Sequence, residues 1–127
     1  MHPDKILNVL KLNDEDRYTY FVSKVTENEE VWGLYNNGWA ILSEAEGKVC
    51  IPFWPEKEFA LLCCKDQWQS YTPQAITLDN FMKKWLQGMK QDNRFATVFY
   101  VNDQVTNILV TPDHLLEDLN DKLQIYM

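Results

Sequence analysis

Residues 31–42, VWGLYNNGWAIL, decide the fold that the sequence predicts. Valine, tryptophan, tyrosine and isoleucine favour strands, and here they lie on both sides of Asn37-Gly38, the strongest short signal for a hairpin turn. With those two residues as the loop, Tyr35 lies opposite Ala40. The segment therefore predicts two antiparallel strands.

Further strands extend this pattern. A turn at 45–48, which contains Gly47, leads to a third strand over Val49–Phe53, so the three strands form an antiparallel meander. Segments 95–101 and 105–110 are also rich in strand-forming residues, and they predict a second hairpin about Asn102-Asp103.

Helical patterns surround these strands. The most regular pattern follows Thr77, a predicted N-cap, and its apolar row places Trp85 in the core. Further helices are predicted with Pro3 in the first turn, after an N-cap at Asn13 or Asp14, from Pro55 and from Pro112. The chain is therefore predicted to be a single α+β domain over residues 1–127, with an antiparallel or mixed sheet and four to five helices.

Charge and hydropathy exclude two classes of partner. The net charge is −7, and the densest group of basic residues is only Lys83, Lys84 and Lys90. Binding to phosphates or to anionic lipid needs stronger clusters of cations. No apolar run approaches the roughly 20 residues of a membrane span. We expect neither nucleic acid nor a membrane as partner.

The cysteines and histidines indicate no metal, cofactor or catalytic site. Cys63 and Cys64 are adjacent, so they point about 100° apart on a helix, while His2 and His114 lie near opposite ends of the chain. Three cysteines form a poor disulfide framework, and the N-terminus has no signal-peptide pattern. These features predict a cytoplasmic protein.

Several segments carry a family resemblance. They are 21–25 (FVSKV), 30–34 (EVWGL), 38–40 (GWA), 54–60 (WPEKEFA) and the apolar row of the helix after Thr77. Together they resemble a family of small bacterial proteins known only as domain of unknown function 2750. The resemblance implies a bacterial origin and supplies no activity, cofactor or catalytic residue.

The remaining signal is the tryptophan content. Counting by two from the hairpin pairing places Trp32 and Trp39 on one sheet face, and Trp54 ends the third strand near them. That face is either covered by helices, which makes the rings core, or exposed, which makes them a binding patch. Both interpretations stay open. The candidate binding residues are Trp32, Trp39, Trp54, Pro55 and Lys24.

An aromatic surplus without a catalytic set favours a non-enzymatic module that binds a protein partner. An immunity- or inhibitor-like protein, whose acidic surface neutralises a basic partner, is a sharper version of this hypothesis. The alternatives are a small hydrolase or transferase whose site forms only in three dimensions, and a small-ligand binder with an aromatic pocket. The apolar end, residues 125–127, leaves both a monomer and a homodimer open.

Overall fold

A computed structural model of the chain describes residues 2–43, 47–101 and 107–125. These residues form two β-sheets and five helices. One of the helices consists of an α-helical turn, a π-helical turn and a further α-helical part without a break. The α+β class, the mixed sheet and the number of helices are confirmed.

Two of the helices begin at short polar side chains that cap them. Asn13 accepts a hydrogen bond from the Asp16 amide at 2.8 Å, and Thr77 accepts one from the Asn80 amide at 3.2 Å. The helices are α1 (Pro3–Leu10), α2 (Asp14–Asn28), α3 (Lys57–Leu62), a continuous helix made of α4 (Leu78–Asn80), a π-helical turn (Phe81–Trp85) and α5 (Leu86–Gln91), and α6 (Pro112–Ile125).

The strands form a four-stranded and a two-stranded sheet. They are β1 (Glu30–Tyr35), β2 (Leu42–Ser43), β3 (Val49–Phe53), β4 (Thr72–Thr77), β5 (Phe95–Val98) and β6 (Ile108–Val110). The larger sheet has the order β2-β3-β5-β6, with β3 and β5 parallel, and the smaller one pairs β1 with β4. An antiparallel bridge between Trp32 and Trp54 connects the two sheets.

The predicted meander differs from the observed pairing. The main partner of β1 is β4, with six residue pairs from Glu30↔Thr77 to Tyr35↔Thr72, whereas β1 meets the next segment only at the bridge Tyr35↔Trp39. A complete ladder with β4 satisfies more backbone hydrogen bonds than a short hairpin could. The second predicted hairpin is present as β5 and β6, but Asn102 and Asp103 of its turn lie outside the described residues.

The register of the first hairpin is also one residue away from the prediction. The Asn36 amide donates to the Gly38 carbonyl at 2.9 Å, so the turn contains three residues, with Asn37 at φ 54°. Tyr35 consequently lies opposite Trp39, not opposite Ala40. Because side chains alternate along a strand, Trp39 shares a face with Tyr35 and not with Trp32. The prediction that Trp32 and Trp39 share a face is wrong.

A π-helical turn contains one predicted core residue, Trp85, which lies at the edge of the core. The Leu86 amide donates to the Phe81 carbonyl, an i to i+5 bond, so the turn holds one residue more than an α-helical turn. Phe81 and Leu86 are buried, while Trp85 between them is half-buried. The prediction that Trp85 belongs to the core holds for one side of its ring only, because Trp85 packs on the core while its side chain stays half-buried.

Candidate functional site

Two of the predicted binding residues lie inside the protein. Trp54 is fully buried, and Pro55 beside it is buried as well. The Trp54 indole donates its N–H to the Tyr100 carbonyl at 2.8 Å, and its ring packs edge-to-face on Trp68, with centroids 6.1 Å apart. These contacts satisfy the polar end of a buried tryptophan.

Trp32 and Lys24 are half-buried and occupied by local partners. The Trp32 indole donates to Glu30 Oε1 at 3.3 Å. The Lys24 ammonium lies 3.1 Å from Glu27 Oε2 and 5.8 Å from the centre of the Tyr20 ring. The structure therefore does not unite the predicted residues into one surface.

Trp39 instead belongs to a row of three aromatic rings. Its ring centroid lies 5.1 Å from that of Tyr35 and 4.7 Å from that of Trp85, with interplanar angles of 66° and 85°. Trp85 packs in turn on the fully buried Phe53, with centroids 5.9 Å apart. Edge-to-face contacts of this kind fix the rings relative to one another.

The outer side of this row is open to solvent. Tyr35 is 40% exposed, Ile41 is 48% exposed, and Trp39 and Trp85 are half-buried. We call the surface of these three rings, together with the exposed Ile41 two residues after Trp39, the aromatic ridge. A contiguous exposed apolar patch on a folded protein marks an interaction site more often than scattered apolar residues do.

Two local features of the sequence build the aromatic ridge. The three-residue turn brings Trp39 opposite Tyr35, and Gly33 leaves room for the Trp39 ring on the strand. The π-helical turn brings Trp85 to the same place from the helix side. Turns of this type occur frequently at functional sites. Sequence reasoning found Trp39 but missed the other three residues, because the register and the wider turn set their positions.

A second cluster links α2 to α6. The Tyr18 hydroxyl donates to Asp118 Oδ2 at 2.5 Å, and His114 Nε2 lies 3.2 Å from the same oxygen. Burial and then the hydrogen bond to Asp118 raise the pKa of Tyr18 well above its ordinary value, so the phenol stays protonated. It serves as a hydrogen-bond donor between two helices and not as a base.

The described residues do not assemble a metal site. Within residues 2–43, 47–101 and 107–125, no three His, Cys, Asp or Glu side chains are placed to hold a metal ion. Burial raises the pKa of the Cys64 thiol, which disfavours the nucleophilic thiolate. No helix in this part of the chain is long and apolar enough to cross a membrane.

By fold and site this is a small α+β protein with a partly exposed row of packed aromatic rings. The sequence profile of the family described as "Protein of unknown function (DUF2750)" matches residues 18–119, and the chain belongs to that family. The matched range includes the whole aromatic ridge. No curated protein matches the chain.

Proposed function

We propose that the protein is a non-enzymatic interaction module that binds a protein partner through the aromatic ridge. The observation that carries this proposal is the edge-to-face row of Tyr35, Trp39 and Trp85, open to solvent on one side. Tyrosine and tryptophan are the residues most enriched among those that dominate binding energy at protein interfaces.

The three rings of the aromatic ridge are also packed on one another before any partner binds. Trp85 is held on Phe53, and Trp39 is held between Tyr35 and Trp85. A partner that docks on rings already fixed in place loses less side-chain entropy on binding than one that must order flexible groups. This property favours a dedicated binding surface over apolar residues exposed by chance.

The charges near the aromatic ridge define the proposal further. The chain carries −7 overall, yet Lys84 and Arg94 line the groove next to Trp85. An inhibitor that neutralises a basic partner would use carboxylates elsewhere on the molecule. We therefore do not extend the proposal to the immunity- or inhibitor-like version.

The test compares a substitution within the aromatic ridge with one at an exposed apolar residue elsewhere on the surface. Ile41, in the aromatic ridge, is 48% exposed, and Leu61, on α3, is 49% exposed. Tagged wild-type protein, the double variant Tyr35→Ala/Ile41→Ser and the control Leu61→Ser are used to capture proteins from a lysate of the source cells. Light scattering on each purified protein measures self-association separately.

We expect the control to retain the partner and the double variant to lose it. If the partner is a second copy of the chain, the same double variant shifts a dimer to a monomer. Equal capture and equal mass for all three proteins would show that the aromatic ridge is not the binding surface.

A further inference from the structure

A groove adjoins the aromatic ridge at Trp85. It has a volume of about 300 Å³, and it is continuous with the ridge because Trp85 belongs to both. Its lining combines an apolar floor with three charged side chains: Ile51, Lys84, Trp85, Gly88, Met89, Asp92 and Arg94.

The two cations of the groove, Lys84 and Arg94, differ from the nearby lysines in their ion pairing. Lys83 is bound to Asp79 at 2.9 Å, and Lys90 is bound to Asp113 at 3.1 Å. Lys84 and Arg94 are exposed, and neither has an ion-pair partner within 4.0 Å among the residues described. The groove thus keeps two positive charges available beside a tryptophan ring.

We propose that this groove receives an extended segment of the partner that carries a carboxylate next to an apolar side chain. The inference rests on the proposed function and specifies the chemistry of the partner at that site. The carboxylate lies between Lys84 and Arg94, and the apolar side chain packs on Trp85 and Ile51.

The chemistry of the lining supports this occupant. A guanidinium can bind a carboxylate with two parallel hydrogen bonds, and a charge-assisted bond is stronger than a neutral one. Asp92 on the same lining disfavours a segment with many negative charges and selects one with a single carboxylate. A nucleic-acid strand, which presents a phosphate at every nucleotide, fits this lining poorly.

The glycine in the groove leaves room for the apolar side chain. Apart from its chain neighbours and the backbone of its own helix, a Cβ atom at Gly88 would have no heavy atom of the described residues within 4 Å. The space above α5 is therefore open, and a larger residue at position 88 occupies it without displacing the core.

The experiment uses the full chain and a displayed library of random heptapeptides as the probe. Selected peptides are synthesised with a fluorophore, and their affinity is measured by anisotropy for wild type, Lys84→Gln/Arg94→Gln, Gly88→Leu, Trp39→Ala and the control Lys83→Gln. Each selected peptide is also made with its Asp or Glu replaced by Asn or Gln. Circular dichroism confirms that every variant is folded.

We expect the selected peptides to carry Asp or Glu beside Leu, Ile, Phe or Trp. Removing both cations, or replacing the peptide carboxylate by an amide, weakens binding by about tenfold or more, because charge-assisted hydrogen bonds are lost. Gly88→Leu also weakens it, whereas Lys83→Gln leaves it unchanged.

Two other outcomes overturn the inference in different ways. One outcome is that Trp39→Ala weakens peptide binding, whereas the substitutions at Lys84, Arg94 and Gly88 do not change it. This result would refute the groove and leave the aromatic ridge as the binding surface. The other outcome is that no peptide is selected, or that none of the substitutions, including Trp39→Ala, changes the affinity of the selected peptides. This result would refute both the groove and the proposed function.

Discussion

The ring of Trp39 lies so close to Gly33 that a Cβ atom added to the glycine would be 2.9 Å from Cζ3 of Trp39. Real Cβ atoms almost never approach another atom this closely. The glycine thus sets the height of Trp39 above β1, and with it the contact between Trp39 and Trp85. The arrangement of the aromatic ridge therefore depends on the lack of a Cβ atom at Gly33.

Substituting Gly33 by alanine is expected to displace Trp39. The ring cannot move freely because Tyr35 and Trp85 hold its two sides. We expect the substitution to lower the free energy of unfolding by about 1–2 kcal/mol, as overpacking does in other proteins. Urea denaturation followed by tryptophan fluorescence measures both the loss and the altered environment of the ring.

Gly88→Ala is the matched control for that substitution. It adds the same methyl group in open space, within α5. Alanine favours a helix over glycine, so stability is expected to rise by about 0.5–1 kcal/mol. Equal losses for both variants would show that the proximity to Trp39 has no special effect.

The buried tryptophan gives a second prediction. Trp54 is fully buried and donates a hydrogen bond to Tyr100, whereas Tyr35 is 40% exposed. We expect Trp54→Ala to destabilise the fold by about 3–5 kcal/mol and Tyr35→Ala by less than about 1 kcal/mol. Denaturation midpoints compare the two, and similar losses would contradict the assignment of Trp54 to the core.

Arg17 gives a third prediction, since its charge is buried. Its side chain is 2% exposed, it binds Asp14 at 3.2 Å, and its Nε has no hydrogen-bond partner among the described residues. Asp14→Asn removes the negative charge that pairs with the Arg17 guanidinium, and we expect it to lower the free energy of unfolding by about 1–2 kcal/mol. Arg17→Met removes the charge and should be close to neutral.

Glu15→Gln is the control for Asp14→Asn. Both substitutions remove a carboxylate from the first turn of α2, but the carboxylate that binds Arg17 belongs to Asp14. We expect the control to change stability by less than about 0.5 kcal/mol. The prediction is contradicted if Asp14→Asn leaves the stability unchanged while Arg17→Met lowers it.

The two tyrosines of α2 predict a loss of stability in alkali. Burial, and then hydrogen bonds to Asp118 and Glu56, raise the pKa values of Tyr18 and Tyr20. Their stabilisation is complete below the unfolded-state pKa of about 10 and falls above it, by up to about 1.4 kcal/mol per pH unit for each group. Partial exposure of both side chains reduces this slope.

Urea unfolding between pH 9 and 11 measures this slope for wild type and for Tyr18→Phe/Tyr20→Phe. The double variant is less stable at pH 8 but should lose less stability as the pH rises. Identical slopes would mean that both phenols ionise as readily in the folded protein as in the unfolded chain.

Much of the fold follows from local sequence patterns. The caps at Asn13 and Thr77 and the second hairpin are set by neighbouring residues, and the sequence predicts them. The pairing of β1 with β4 joins residues about 40 positions apart, and the bond between Tyr18 and Asp118 spans 100 positions. No local pattern encodes such contacts.

The candidate site was predictable only in part, for two physical reasons. Asn37-Gly38 predicts a two-residue turn, whereas the observed turn has three residues, and a shift of one residue moves every side chain to the other face. The π-helical turn leaves no mark in the apolar spacing, because Trp85 fits an α-helical row as well as Leu86 does. Trp39 was therefore identified and its neighbours were not.

Hydrogen–deuterium exchange on the captured complex tests the central claim most directly. Amide protection is compared between the free protein and the protein bound to the partner identified by capture. The proposal predicts new protection in segments 35–41 and 84–94, around the aromatic ridge and the groove. Protection confined to Lys24, Trp32 and the segment after Trp54, with none at the ridge, would contradict it.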